Sequence, residues 1–258
     1  MACGSFDTPP MAASPSTPVT TADRVLQVLA VLAQQGRALQ VAELLERTGL
    51  ARSTLYRQLA RLKQWGFVLE TDGYYAPGPL SLQLALGFDL ASHLVRQARS
   101  DLQALAQQSH ESVALVVAVN DRVICLDMVE SEQSLRCSFE KGRSVPLGAG
   151  ASAKCLQAHL PDTERSAMLD QQYGPEGARR RAAEAESAAI RKAGFAVTAG
   201  EVDPGVWGVS VPLFGPDRRG VGAITLMAPI SRAQTQEPKL TRMAVIAAAR
   251  ISRSLAIR

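Results

Sequence analysis

A chain of 258 residues with 47% hydrophobic and 20% charged side chains can bury two cores, so wholesale disorder is excluded. Its formal charge of +4 and isoelectric point near 9.0 are compatible with a polyanionic partner without demanding one. No run of about 18 apolar residues occurs, so no membrane helix is expected.

Residues 1–19 carry Pro9, Pro10, Pro15 and Pro18 among Ser, Thr and Ala. That composition cannot offset chain entropy, and a disordered tail is expected. The first twenty residues lack the basic start and apolar stretch of a secretory signal, so Cys3 reads as a tail cysteine and the compartment as the cytoplasm. Cys125, Cys137 and Cys155 form no C-x-x-C pair, and His93, His110 and His159 stand in no ligand spacing; neither a metal site nor a cofactor is expected.

Thr20 and Asp23 make a near capping box, and Val25, Val28, Leu29 and Leu32 recur at helical spacing until Gly36. A short helix over Val41 to Arg47 should bury Val41, Leu44 and Leu45 and close at Thr48-Gly49. A third helix is predicted from about Ala51 to Gln64. Phe67 to Glu70 and Tyr74-Tyr75 then flank Asp72-Gly73, the dipeptide favoured in two-residue hairpin turns. Three helices and a hairpin at this spacing predict a winged helix-turn-helix.

Pro77 and Pro79 mark a boundary. Beyond it Leu80, Leu84 and Leu94 suggest a linker helix, and Val95, Ala98, Leu102 and Leu105 a further helix. Ser112 to Val119 and Val123 to Val129 read as strands joined at Asn120-Asp121. Helices are predicted near Gly150–His159, Thr163–Leu169, Ala178–Ala193 and Leu240–Leu255, and strands near Phe195–Thr198, Val206–Phe214 and Gly220–Ala228. The fold class is α+β, with a central antiparallel sheet in the second domain.

On the third helix Leu55, Leu59 and Leu62 share one stripe, while Ser53, Arg57, Arg61 and Gln64 lie opposite and Arg52 and Thr54 sit at the exposed start. The segment carries four basic residues and no acid. A helix with hydroxyls and arginines on its outer face can enter the major groove, where Arg reads guanine and Ser or Thr reach bases or phosphates. Arg61 is placed as a phosphate contact, and Tyr74 puts the wing on the backbone or minor groove. A solvated basic helix is the plainer alternative. A protein-binding winged helix is another, but it would favour a neutral or apolar outer face.

Further on, Gly148-Ala-Gly-Ala-Ser152 precedes a helix start, where small residues let an anion approach free N–H groups. A carboxylate could sit on the amides of Ala151 and Ser152, between Leu126 and Met128 on one wall and Val209, Thr225 and Met227 on the other. Alternatively the glycines only make a turn and the methionines fill core. Ser152 and Lys154 superficially suggest a hydrolase pair, but at i and i+2 they point about 200° apart on a helix. Lys154 is better explained by a carboxylate partner. No catalytic residue is assigned.

The stretches Ala51-Arg-Ser-Thr-Leu-Tyr-Arg-Gln-Leu-Ala-Arg-Leu, Val123-Ile-Cys-Leu-Asp-Met-Val-Glu-Ser, Pro146-Leu-Gly-Ala-Gly-Ala-Ser-Ala-Lys154 and Asp203-Pro-Gly-Val-Trp-Gly-Val-Ser-Val-Pro together resemble the isocitrate lyase regulator (IclR) family. Beyond the tail over 1–19 the resemblance implies a winged helix-turn-helix over 20–78, a linker helix over 79–96 and a GAF-like effector domain over 97–258. It also implies a transcription regulator, not an enzyme, that binds operator DNA as a homodimer or tetramer and answers to a small organic acid. By the same resemblance Ala151, Ser152, Thr198, Gly208, Thr225 and Met227 line the ligand cavity. Gly148, Ala153, Thr198 and Trp207-Gly208 stand where the family usually has histidine, glycine, an acid and Arg-Cys, so a different ligand is expected.

Overall fold

A computed structural model describes residues 20–137 and 139–256. The expected tail, 1–19, lies outside them. The chain divides into two compact units between Ala91 and Ser92.

In the first unit, helix α1 (Thr21–Gln35) starts in a reciprocal capping box. The Asp23 amide donates to Thr20 Oγ1 at 3.2 Å and the Thr20 amide to Asp23 Oδ2 at 2.7 Å, so two otherwise orphaned donors are satisfied. Helix α2 (Val41–Thr48) ends at Gly49 in the left-handed conformation, and α3 (Arg52–Gln64) follows. Val41 and Leu45 are only partly buried on α2; Leu44 and Thr48 fill its core side.

The hairpin forms as expected from β2 (Val68–Thr71) and β3 (Tyr74–Pro77). Asp72 and Gly73 both adopt positive φ (52° and 78°), the pattern of a type I′ turn. A third strand, β1 (Leu39–Gln40), pairs with β3 in the order β1-β3-β2. Its two residues are too short to register as a periodic signal. Val28, Leu32, Leu39, Leu44, Leu55, Leu59, Leu62, Val68 and Tyr75 make one core. Helix α4 (Pro79–Ala91) lies where a linker helix was expected, and it stops at Ala91, short of residue 96. The Ser92 hydroxyl instead accepts from the Val95 amide and caps a new helix, α5 (His93–Ser109).

The second unit is built on a six-stranded antiparallel sheet. Its strands are β4 (Ser112–Val119), β5 (Arg122–Val129), β6 (Ser144–Pro146), β7 (Ala196–Ala199), β8 (Val206–Phe214) and β9 (Gly220–Pro229), in the order β6-β5-β4-β9-β8-β7. Strand β6 was not predicted; three residues carry no usable alternation. On one face α5 and α9 (Ile230–Ala256) pack over Leu115, Val209, Leu213, Ile224 and Leu226. On the other, α6 (Gly150–Ala158) and α8 (Ala178–Ala193) cover Ala114, Val116, Cys125 and Ala223. Helix α7 (Asp162–Tyr173) is longer at both ends than expected. Helix α9 begins at Ile230, not Leu240, because it runs through Pro238.

Candidate functional site

On α3 the buried residues are Leu55, Leu59, Leu62 and also Gln58. Arg52, Ser53, Arg57, Arg61 and Gln64 are exposed, and Thr54 is half-buried at the first turn. Among the described residues Arg52, Arg57 and Arg61 make no ion pair, whereas Lys63 pairs with Glu70 of the wing. Three free guanidiniums therefore share one helix with no acid between them. Tyr74 is exposed on the wing; Tyr75 behind it is buried, with its phenol pushed up to about 12 by burial and by Glu70. Sequence reasoning missed Gln58, whose amide is fully buried with neither polar atom partnered, and Trp65, which is 72% exposed at the end of α3.

In the second unit, Met128, Ala151, Ser152, Thr198, Gly208, Thr225 and Met227 come together between α6 and the sheet. The strand register carries this. Gly208 lies opposite both Thr198 and Met227, and Ala114 opposite both Met128 and Thr225. A Cβ on Gly208 would sit 3.7 Å from the Ala151 Cβ and 4.0 Å from Met227 Cγ, so the backbone here abuts both.

Leu126 does not join this wall. A β-bulge pairs Leu115 with Asp127 and Val116 with Cys125, leaving Leu126 without a partner and turning it into the α5–α9 core. Val209 faces that core as well. The expectation that Leu126 and Met128 share a side is thus corrected: the extra residue breaks the two-residue alternation.

Polar groups link α6 to the sheet. Ser152 Oγ lies 2.8 Å from Thr225 Oγ1, which donates to Ser210 Oγ at 3.0 Å. The chain ends beside Cys155, whose thiol burial raises to about 12. The start of α6 already carries an anion, but an internal one. The Glu201 carboxylate accepts from the Gly150 amide at 3.1 Å and from Lys154 Nζ at 2.7 Å, and Lys154 also reaches Glu186 at 2.7 Å. Gly150 is required there, because a Cβ would lie 2.8 Å from Val202. Ser152 and Lys154 thus bond different partners, so the hydrolase pair is not assembled. Among the described residues no three His, Cys, Asp or Glu side chains converge to hold a metal ion, and no helix is long and apolar enough to cross a membrane.

Residues 21–72 match the IclR helix-turn-helix domain, and residues 90–253 match the bacterial transcriptional regulator IclR C-terminal domain. The regulator TtgV of Pseudomonas putida is 33% identical over 58% of this chain and 58% of its own length. A transcriptional regulator of helix-turn-helix type from Mycobacterium tuberculosis is 31% identical over 84% of this chain and 85% of its own. Among solved structures, an IclR regulator from Silicibacter has a TM-score of 0.80 at 24% identity, covering 92% of this chain and 96% of that one. An IclR homolog from Microbacterium hydrocarbonoxydans, complexed with 4-hydroxybenzoate, has a TM-score of 0.71 at 20% identity, covering 93% and 100%.

Proposed function

The chain belongs to the IclR family of bacterial transcriptional regulators, and from that premise we propose that it binds double-stranded operator DNA through α3 and controls catabolic genes in response to a small carboxylic or aromatic acid. The observation that carries the reading is the exposed face of α3, where Arg52, Arg57 and Arg61 have no ion-pair partner among the described residues. Such a face is suited to phosphates and guanine edges. Ser53 and Thr54 add hydroxyl donors at the helix start, and Tyr74 gives the wing a backbone contact.

A homodimer or tetramer would set two α3 helices in successive major grooves. Exposed Leu82, Leu84, Leu86 and Phe88 on α4 support association through that helix. For the effector, Ser152, Thr198 and Thr225 offer hydroxyls, while Met128, Ala151, Gly208 and Met227 offer apolar surface, a combination suited to a ring bearing a carboxylate. The 4-hydroxybenzoate bound by one structural relative is of that class. The ligand acts by binding the DNA-competent and DNA-incompetent arrangements with different affinity.

The test is Arg57→Ala in gel retardation with the DNA upstream of the protein's own gene. The expected loss is about 1–3 kcal/mol of operator affinity, with relaxed sequence preference. Unaltered affinity and preference would remove Arg57 from base reading.

A further inference from the structure

Across the sheet from α6, a cleft of about 550 Å³ opens between the first turn of α5, the β8–β9 turn and the last turn of α9. Its lining is Leu94, Val221, Leu255 and Pro216, with His93 and Gln97 as the polar groups. We infer that this cleft is a second small-molecule site of the C-terminal unit, taking a compact aromatic acid.

Four features argue for it. Its size falls in the range of roughly 300–1,000 Å³ typical of ligand pockets, and its walls are apolar with few polar groups, as such pockets are. His93 and Gln97 stand four residues apart on α5, on one helix face, so an imidazole and a carboxamide are presented together to a ligand's oxygen atoms. Among the described residues no acid lines the cleft, and the adjoining turn carries two arginines. Arg219 is paired with Asp217, whereas Arg218 has no ion pair among the described residues, so the local charge favours an anion.

The wall made by the β8–β9 turn is also tied down. The Gly215 amide donates to Arg219 O at 2.9 Å, the Arg218 amide to Gly215 O at 3.0 Å, and the Phe214 amide to Ser252 Oγ of α9 at 3.1 Å. Pro216 stiffens the same turn. A wall held in place before binding lowers the entropy cost of filling the cleft.

The site is independent of the one under α6, because the sheet separates them: Leu94 and Leu255 belong to the α5–α9 core and Ser152 and Thr225 to the other face. His93 is the first residue of α5, directly after the Ser92 cap.

Fluorine NMR titration of the full chain with 4-fluorobenzoate tests the inference. Val221→Trp fills the cleft from an exposed position, and Gly208→Leu blocks the α6 side. Two binding events are expected in the wild type. Val221→Trp should lose one and Gly208→Leu the other, and Gln97→Ala should weaken the cleft event about tenfold with the thermal melt unchanged. A cleft event lost in Val221→Trp while Gly208→Leu matches the wild type would support the second site and sink the α6 assignment instead. The inference is overturned if 4-fluorobenzoate does not bind, or if both Val221→Trp and Gln97→Ala titrate as the wild type does.

Discussion

Lys63 and Arg57 sit on the same helix, yet among the described residues only the first has a carboxylate to neutralise it. That difference is what separates a surface charge from a candidate phosphate or base contact. Burial does the opposite work at Cys125, Cys155 and Tyr75, whose protons are held up to about 12. Their folded pKa values lie above the unfolded ones, so their contribution to stability is whole below the ordinary thiol value of 9.0 and is lost as pH rises toward 12. The melting temperature should therefore fall through that window, and Cys155→Ala should flatten part of the slope. A second readout is chemical: Cys125 and Cys155 should resist iodoacetamide at neutral pH until the protein is denatured, since the thiolate is the reactive form. Rapid labelling at Cys125 or Cys155 in the folded chain would contradict this.

At the level of elements, α9 shows how a local rule can mislead. A proline inside a helix removes a hydrogen bond and normally ends the segment, at a cost of about 3 kcal/mol. Here Gln234 to Lys239 are exposed, so water can serve the carbonyl that Pro238 leaves unpaired, and buried Ala233 and Leu240 hold the helix on both sides. Pro238→Ala should raise stability by about 1–3 kcal/mol, read as an upward shift in the melt. A lower melting temperature would mean the proline fits a bend the helix needs. Where caps and turns obey local chemistry, as at Thr20–Asp23 and Asp72-Gly73, the elements were legible in advance. The bulge beside Leu126 was not, because nothing in Cys125-Leu126-Asp127 signals which residue drops out of register.

For the whole molecule, regulation requires the two units to be coupled, and coupling is reciprocal: whatever factor a ligand imposes on operator affinity, the operator imposes on the ligand. Ser152→Asp should weaken 4-hydroxybenzoate binding by placing a charge where an anion is proposed to sit, and operator affinity without ligand should stay near normal. Calorimetry showing full affinity in the variant would discard the α6 side as the carboxylate site. Ser152→Ala, which removes one hydroxyl without adding charge, guards against a folding defect.

The amino-acid order alone determined the winged helix, the exposed arginine face and most of the sheet, since helical and strand periodicity, caps and two-residue turns are written within a few residues of one another. Tertiary structure decided the rest. Glu201 reaches the Gly150 amide from 51 residues away, Ser152 finds Thr225 across 73, and Leu126 turns its back on Met128 through a bulge. Such pairings depend on which surfaces meet after collapse, and a local pattern holds no record of its distant partner.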